Sequence, residues 1–214
     1  MLYYNQMEIR RSGLLDNSHE VKPISNLDDK KQTKTIKTLL DNSYRGDDKL
    51  SVIDGYQMDP ELSGNRAQVY YNNITGKAYV VHRGTQGIHD IATDVRLALG
   101  DESSERFAHG RKIQKDAGLK YGPNNITTIG HSLGGSIAER VGGKSERVIT
   151  LNKPVTPLDL YTTVKQNQQD IRASLDPVSL LRPYQKGKKA KVIESTTNNP
   201  LVEHRLSVMN RLLQ

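Results

Sequence analysis

The chain has 214 residues, a formal net charge of +7 at neutral pH and no cysteine. This length suffices for one domain with a buried sheet. The lack of cysteine excludes disulfides, thiolate metal ligands and a cysteine nucleophile, but it does not identify the cellular compartment. Residues 1–30 are polar and weakly periodic, so we expect an N-terminal arm followed by a single domain over residues 31–214. Neither a Sec signal peptide nor a transmembrane helix is evident, which favours a soluble protein.

The first elements predicted along the chain are a helix and a β-hairpin. The helix covers residues 34–44. Its inner face carries Ile36, Leu39 and Leu40. Strand-favouring runs at residues 68–71 and 78–81 lie on either side of a turn that contains Gly76, which is typical of a β-hairpin.

A helix predicted over residues 107–120 leads to the most informative stretch, residues 126–135, which read ITTIGHSLGG. A β-branched run here ends in G-x-S-x-G and continues into a short helical segment, which is the pattern of a nucleophile elbow. A serine hydroxyl is a weak nucleophile, so hydrolases hold it on a strained turn within reach of a base and an oxyanion hole. We therefore predict Ser132 as the nucleophile, with Gly130 and Gly134 allowing the strand and helix to approach closely.

The base and the acid follow from chain order, because hydrolases with this elbow carry their triad in the order serine, acid, histidine. Of six histidines only His204 follows Ser132, so we predict His204 as the base. Seven acidic residues qualify by position as the acid: Asp159, Asp170, Asp176, Glu139, Glu146, Glu194 and Glu203. Asp176 is the first choice, because residues 170–175 alternate as a strand that Asp176 and Pro177 terminate. Asp159 is the second choice.

In these features the chain resembles the class 3, or fungal-type, lipases of the α/β-hydrolase fold. The shared landmarks, in order, are His82-Arg83-Gly84-Thr85, residues 90–94, residues 106–110, the G-H-S-L-G-G of residues 130–135, Asp176 in D-P-V, and His204. The resemblance spans roughly residues 35–210. It implies an α/β fold with a central, mostly parallel sheet flanked by helices, to which residues 148–151, 171–175 and 191–195 contribute further strands.

The resemblance also implies an oxyanion hole formed by the backbone N–H groups of Thr85 and Leu133, opposite each other. Asp94 is expected to support a loop rather than catalyse, because it precedes the serine. Residues 98–105 stand where related lipases have a lid, but here the segment is acidic and lacks large apolar residues, which favours short or water-soluble esters. Such chemistry needs no metal and no organic cofactor.

The sequence thus predicts a serine hydrolase that cleaves carboxylic esters of lipids, acylglycerol or phospholipid, through an acyl-enzyme. The alternatives are a non-catalytic module of the same fold at membranes, or a thioesterase or peptidase. The basic segment 186–191 is either a solvated loop or a peripheral contact with anionic membranes. No nucleic-acid-binding motif is present, so nucleic acid is not an expected partner, and the oligomeric state is undetermined.

Overall fold

A computed structural model describes residues 29–85 and 105–214. Residues 1–28, which make up nearly all of the predicted arm, lie outside the described residues. The same holds for residues 90–94, including Asp94, and for the acidic segment up to residue 104.

Four α-helices and ten strands make up most of the described chain. The helices are α1 (Lys30–Ser43), α2 (Glu105–Tyr121), α3 (Leu133–Val141) and α4 (Pro200–His204). The strands are β1 (Val52–Ile53), β2 (Tyr56–Met58), β3 (Ala67–Tyr71), β4 (Ala78–His82), β5 (Ile126–His131), β6 (Arg147–Leu151), β7 (Thr163–Val164), β8 (Gln168–Ala173), β9 (Lys186–Gly187) and β10 (Lys191–Ile193). Short 3-10 helices cover Pro123–Asn125, Gly142–Lys144, Leu158–Tyr161, Arg182–Tyr184 and Leu206–Leu212.

Eight of these strands form one sheet in the order β1-β2-β3-β4-β5-β6-β8-β10. Strands β1 to β4 pair antiparallel, and β4, β5, β6, β8 and β10 pair parallel. The predicted hairpin is β3 with β4, in which Gln68 lies opposite Val81. This mostly parallel sheet with flanking helices confirms the predicted fold class.

Helices cover both faces of the sheet. Successive residues of a strand point to opposite sides, so a strand with apolar residues throughout needs a cover on each face. On β4, Tyr79 and Val81 pack into one core with the apolar face of α1 and with the C-terminal 3-10 helix at Val208 and Met209. Val80, from the same strand, packs with α2 into the second core. Both faces of β4 are therefore buried, and its carboxyl end lies between the α1 side and the α2 side of the sheet.

Several element boundaries differ from the prediction by a few residues, and two of the differences bear on the helix α1 and on Asp176. Helix α1 begins at Lys30 rather than at residue 34, because the Asp29 side chain accepts a hydrogen bond from the Lys31 amide at 2.8 Å and caps the helix. Strand β8 ends at Ala173, where its pairing with β10 also ends, instead of at residue 175. Asp176 consequently lies in the turn after the strand.

No helix within residues 29–85 and 105–214 is long and apolar enough to cross a bilayer.

His82, the last residue of β4, is a buried histidine on the α2 side of the sheet. Its side chain is 1% exposed, and a Cβ placed on Gly110 of α2 would lie 3.6 Å from its Cε1 atom. Burial lowers the pKa of His82 from 6.5 to about 4, a shift that His109 and Arg106 reinforce and a hydrogen bond with Gln114 opposes. The folded protein therefore holds this imidazole neutral where the unfolded chain would protonate it.

This burial predicts an acid-dependent loss of stability. Because the folded pKa lies below the unfolded value, the contribution of His82 is complete above pH 6.5 and is lost as the pH falls toward 4, by about 3 kcal/mol in all. Denaturant unfolding at about pH 7 and about pH 5 should show a smaller pH dependence in His82→Gln than in the wild type. The partly exposed His109→Gln serves as control and should change the dependence less; equal slopes in all three proteins would contradict the assignment.

Candidate active site

Ser132 lies on a strained turn between β5 and α3. Its backbone angles are φ 54° and ψ −131°, a left-handed conformation that residues with a side chain rarely adopt. A Cβ on Gly130 would overlap the carbonyl oxygen of Gly134, and a Cβ on Gly134 would overlap that of His82. Glycine at these two positions therefore permits the close packing of α3 on β5 and β4 that projects Ser132 from the sheet.

His204 lies between Ser132 and Asp176. Its Nε2 atom is 3.0 Å from Ser132 Oγ, and its Nδ1 atom is 2.6 Å from Asp176 Oδ1. All three side chains are buried, with Asp176 fully so. The structure thus brings together Ser132, predicted from its motif, His204, predicted from chain order, and Asp176, predicted from its place after a strand. They come from a strand end, the short helix α4 and a turn.

These contacts determine which ring nitrogen of His204 carries the proton. A carboxylate can only accept, so Nδ1–H donates to Asp176 and the lone pair of Nε2 accepts the Ser132 hydroxyl proton. The other oxygen of Asp176 accepts the Ser179 amide at 2.8 Å, and Ser179 Oγ in turn accepts from Arg172 at 3.2 Å. Asp176 is therefore fixed from both sides, with His204 oriented for proton transfer from serine.

The other acidic candidates lie elsewhere and have partners of their own. Asp159, the second choice, pairs with Arg140 at 2.6 Å and accepts the Thr156 amide. Asp170 is buried beside Arg182 and Lys153. The glutamates are distributed as follows: Glu139 on Lys153, Glu146 on Lys77, Glu203 on Arg211, and Glu194 exposed. Among the seven candidates, Asp176 is the one whose carboxylate hydrogen-bonds to the His204 ring in the described part of the chain.

Beside the triad, Tyr44 and His131 form a second set of hydrogen bonds. Tyr44 Oη is 3.0 Å from the Gly84 amide and 2.7 Å from His131 Nδ1. His131 Nε2 is 2.8 Å from the carbonyl oxygen of His204. The His131 side chain thus contacts the backbone of the residue that carries the base, whereas the Ser132 hydroxyl contacts the His204 ring.

The donors in this chain are fixed, because the Gly84 N–H can only donate and the His204 carbonyl can only accept. Nε2 of His131 must then carry the proton, so Nδ1 accepts from the Tyr44 hydroxyl, which itself accepts from Gly84. Burial, with the neighbouring His204, lowers the pKa of His131 to about 3. Burial raises the pKa of Tyr44 to about 12, against the opposing effect of the Gly84 hydrogen bond. Both groups are therefore neutral at physiological pH.

The two predicted oxyanion donors lie on adjoining segments. Leu133 is the first residue of α3, where backbone N–H groups lack a partner within the helix. Thr85 follows Gly84, and a Cβ on Gly84 would lie 3.1 Å from Ser132 Cβ, so the loop from β4 passes directly beside the nucleophile. The role of the Thr85 and Leu133 amides stays a prediction.

Tyr44 is a residue of the site that was not predicted from the sequence. It lies at the end of the first predicted helix, and its contact with His131 joins residues 87 positions apart, a separation that no local sequence pattern reveals.

The basic segment 186–191 contains β9, which pairs with β7, and the carbonyl oxygen of Lys188 accepts a hydrogen bond from Arg182. Whether this segment contacts anionic lipid stays a prediction. Within residues 29–85 and 105–214, no group of acidic and histidine side chains is arranged to hold a metal ion.

Solved structures with a similar backbone include several fungal lipases. Lip2 lipase from Yarrowia lipolytica superimposes with a TM-score of 0.54 at 17% identity, over 81% of this chain and 82% of that one. The Rhizomucor miehei lipase in its propeptide complex gives 0.53 at 17%, over 79% and 69% of the two chains. The triacylglycerol lipase from Penicillium expansum gives 0.50 at 17%, over 78% and 80%. At sequence identities this low, the superpositions show that the chains share a fold.

The sequence comparison identifies the family. No curated protein sequence matches the chain. A phospholipase-like family model, described as the Tle-like phospholipase domain, matches residues 40–152, which is more than half of the chain and includes the serine turn. We conclude that this protein has the α/β-hydrolase fold and belongs to the Tle-like phospholipase domain family.

Proposed function

We propose that the protein is a serine hydrolase that cleaves carboxylic esters of lipids, acylglycerol or phospholipid, with Ser132, His204 and Asp176 as its triad. One observation carries the proposal: a buried histidine bridges a buried carboxylate and a serine held at positive φ, at 2.6 and 3.0 Å. A structural histidine has no need of a strained serine partner. Strain of this kind persists mainly where it serves a reaction.

In the proposed reaction, Ser132 Oγ attacks the ester carbonyl while His204 Nε2 takes its proton. The new bond places negative charge on the carbonyl oxygen, which in this proposal the backbone amides of Thr85 and Leu133 stabilise. His204 then protonates the leaving alcohol, which gives an acyl-enzyme. A water molecule, deprotonated by His204, attacks the acyl group and releases the acid. Asp176 stabilises the imidazolium throughout and keeps its own charge.

The hydrogen bonds that run from Gly84 through Tyr44 and His131 to the His204 carbonyl support this reaction without contacting the reacting atoms. It ties the loop before Thr85 to the backbone of His204, so that oxyanion donor and base keep a fixed separation. Because His131 is neutral, it adds no positive charge beside the imidazolium that forms on His204, whose ring centroid is 5.0 Å away. We propose Tyr44 and His131 as positioning residues.

Two other functions share this fold. A non-catalytic module would leave Ser132 unreactive, and a thioesterase or peptidase would use the same three residues on another leaving group. A fluorophosphonate probe separates the first from an enzyme, since the probe labels an activated serine. A panel of matched ester, thioester and amide substrates separates the second.

Replacing the nucleophile should abolish ester hydrolysis. We expect Ser132→Ala to lower kcat on p-nitrophenyl esters, from acetate to palmitate, by on the order of 10⁴- to 10⁶-fold, and to prevent fluorophosphonate labelling. Ser207→Ala, a change of an exposed serine close to the base in sequence, is the control and should keep wild-type turnover. Equal rates in Ser132→Ala and the wild type would refute the mechanism, and the best chain length in the series indicates esterase or lipase character.

Removing the Tyr44 hydroxyl should weaken both stability and turnover. Tyr44→Phe leaves the Gly84 amide and His131 Nδ1 without this partner, so we expect unfolding to become easier by about 1–3 kcal/mol. Loosening of the oxyanion loop should also lower kcat, by up to about 10²-fold, with little change in KM. Tyr184→Phe is the matched control, because Tyr184 is 74% exposed and its change should stay within about 0.5 kcal/mol. Wild-type kcat in Tyr44→Phe would contradict a positioning role.

A further inference from the structure

Three residues other than glycine have positive φ within residues 29–85 and 105–214: Asp54, Ser132 and Asn152. Asp54 is exposed in the turn between β1 and β2, and Ser132 is the proposed nucleophile. Asn152, which directly follows β6, has φ 48° and a fully buried side chain. Asparagine tolerates this conformation better than most residues, but glycine adopts it without strain. The strain therefore indicates a role for the asparagine side chain.

The amide nitrogen of Asn152 binds the end of the helix that carries the base. Nδ2 donates to the carbonyl oxygen of Glu203 at 2.9 Å and to that of His204 at 3.2 Å. The last carbonyls of a helix have no partner within it, so Asn152 satisfies two such groups of α4. The His204 carbonyl also accepts from His131 Nε2 at 2.8 Å. Two donors from different elements therefore fix the backbone of the base.

The amide oxygen of the same side chain binds the strand that precedes the acid. Oδ1 of Asn152 accepts the amide of Ala173, the last residue of β8, at 2.9 Å. The Ala173 carbonyl in turn accepts the Asp176 amide at 3.2 Å. The orientation of the carboxamide follows from these partners, because Oδ1 can only accept and Nδ2 can only donate.

The backbone beside Asn152 adds the nucleophile to this junction. The carbonyl of Leu151, the last residue of β6, accepts the Ser132 amide at 3.0 Å. The Asn152 amide donates to the Ile171 carbonyl of β8 at 2.8 Å. Asn152 thus lies where the segments that carry the nucleophile, the acid and the base meet, and it joins them through their backbones.

We propose that Asn152 is a positioning residue, which holds the His204 ring at the distances from Ser132 and Asp176 that proton transfer requires. The inference rests on the proposed function, because it assigns how the base of that reaction is oriented. The two ring contacts, at 3.0 and 2.6 Å, leave little room for displacement. A misplacement of about 1 Å can cost about 10²-fold in rate.

The test uses two variants, Asn152→Gly and Asn152→Asp. Glycine adopts the backbone conformation and removes the whole carboxamide, whereas an ionised aspartate keeps the size and the acceptor for Ala173 but cannot donate to His204. In both variants we expect kcat on p-nitrophenyl esters to fall by about 10- to 100-fold with KM within about threefold of the wild type. A purely conformational role for Asn152 predicts instead wild-type kcat in the glycine variant.

Two control variants separate position from strain and from stability. Asp54→Gly changes a residue with the same φ of 48° in an exposed turn and should keep wild-type kcat. Thr128→Val removes a buried hydroxyl that hydrogen-bonds to Ser145 Oγ at 2.7 Å. We expect this change to lower the melting temperature without lowering kcat.

A second readout needs no turnover. The Nδ1 proton that His204 donates to Asp176 should give a proton NMR line far downfield of the backbone amides. We expect this line to broaden or disappear in both Asn152 variants and to persist in Thr128→Val. Wild-type kcat in either folded Asn152 variant would overturn the proposal.

The NMR line also separates this proposal from the proposed function. If the wild type hydrolysed no ester, the proposed function would fail alone. Loss of the line in the Asn152 variants would then still support the positioning role, and its retention in both would overturn that role.

Discussion

The close approach of α3 to the ends of β4 and β5 is the constraint on which the rest of the site depends. It exists because two glycines remove the side chains that would collide with backbone carbonyls, and it forces Ser132 to positive φ. The same contact brings the His82–Arg83 backbone against the start of α3. Nucleophile, helix amides and the following loop are thereby placed by one packing event, so that their mutual geometry does not depend on flexible side chains.

Around the serine turn, burial keeps Tyr44 and His131 neutral. These two groups pass a hydrogen bond from the loop to the backbone of His204, whereas Asp176 accepts from two directions. Beside α3 a different network pairs two positive groups, Lys153 and Arg182, with two carboxylates, Asp170 and Glu139.

Local pattern predicted much of this arrangement. The hairpin, the serine turn and the choice of His204 all came from short stretches or from chain order, and the resemblance to class 3 lipases implied the fold class. Asp170 and Asp176 show where such reasoning needs help. Asp170 begins the predicted strand and Asp176 follows it, and what distinguishes them is which distant residues they contact: Arg182 and Lys153 for Asp170, and His204 for Asp176. Tyr44 could not have been found, because its role arises from a contact between the first helix and the serine turn. The short strands β1 and β2 and helix α4 likewise owe their structure to tertiary packing rather than to local periodicity.

His204, the proposed base, lies on a helix too short to be stable on its own. Helix α4 has five residues, far fewer than an isolated helix needs, so its position depends on tethers: Glu203 bound to Arg211 at 2.7 Å and to Thr197, and the His204 carbonyl bound to His131. Few contacts of this kind make a segment open independently of the sheet. We expect α4 to open more readily than the sheet, and its transient release would separate His204 from Ser132 and stop catalysis while the eight-stranded sheet stayed intact.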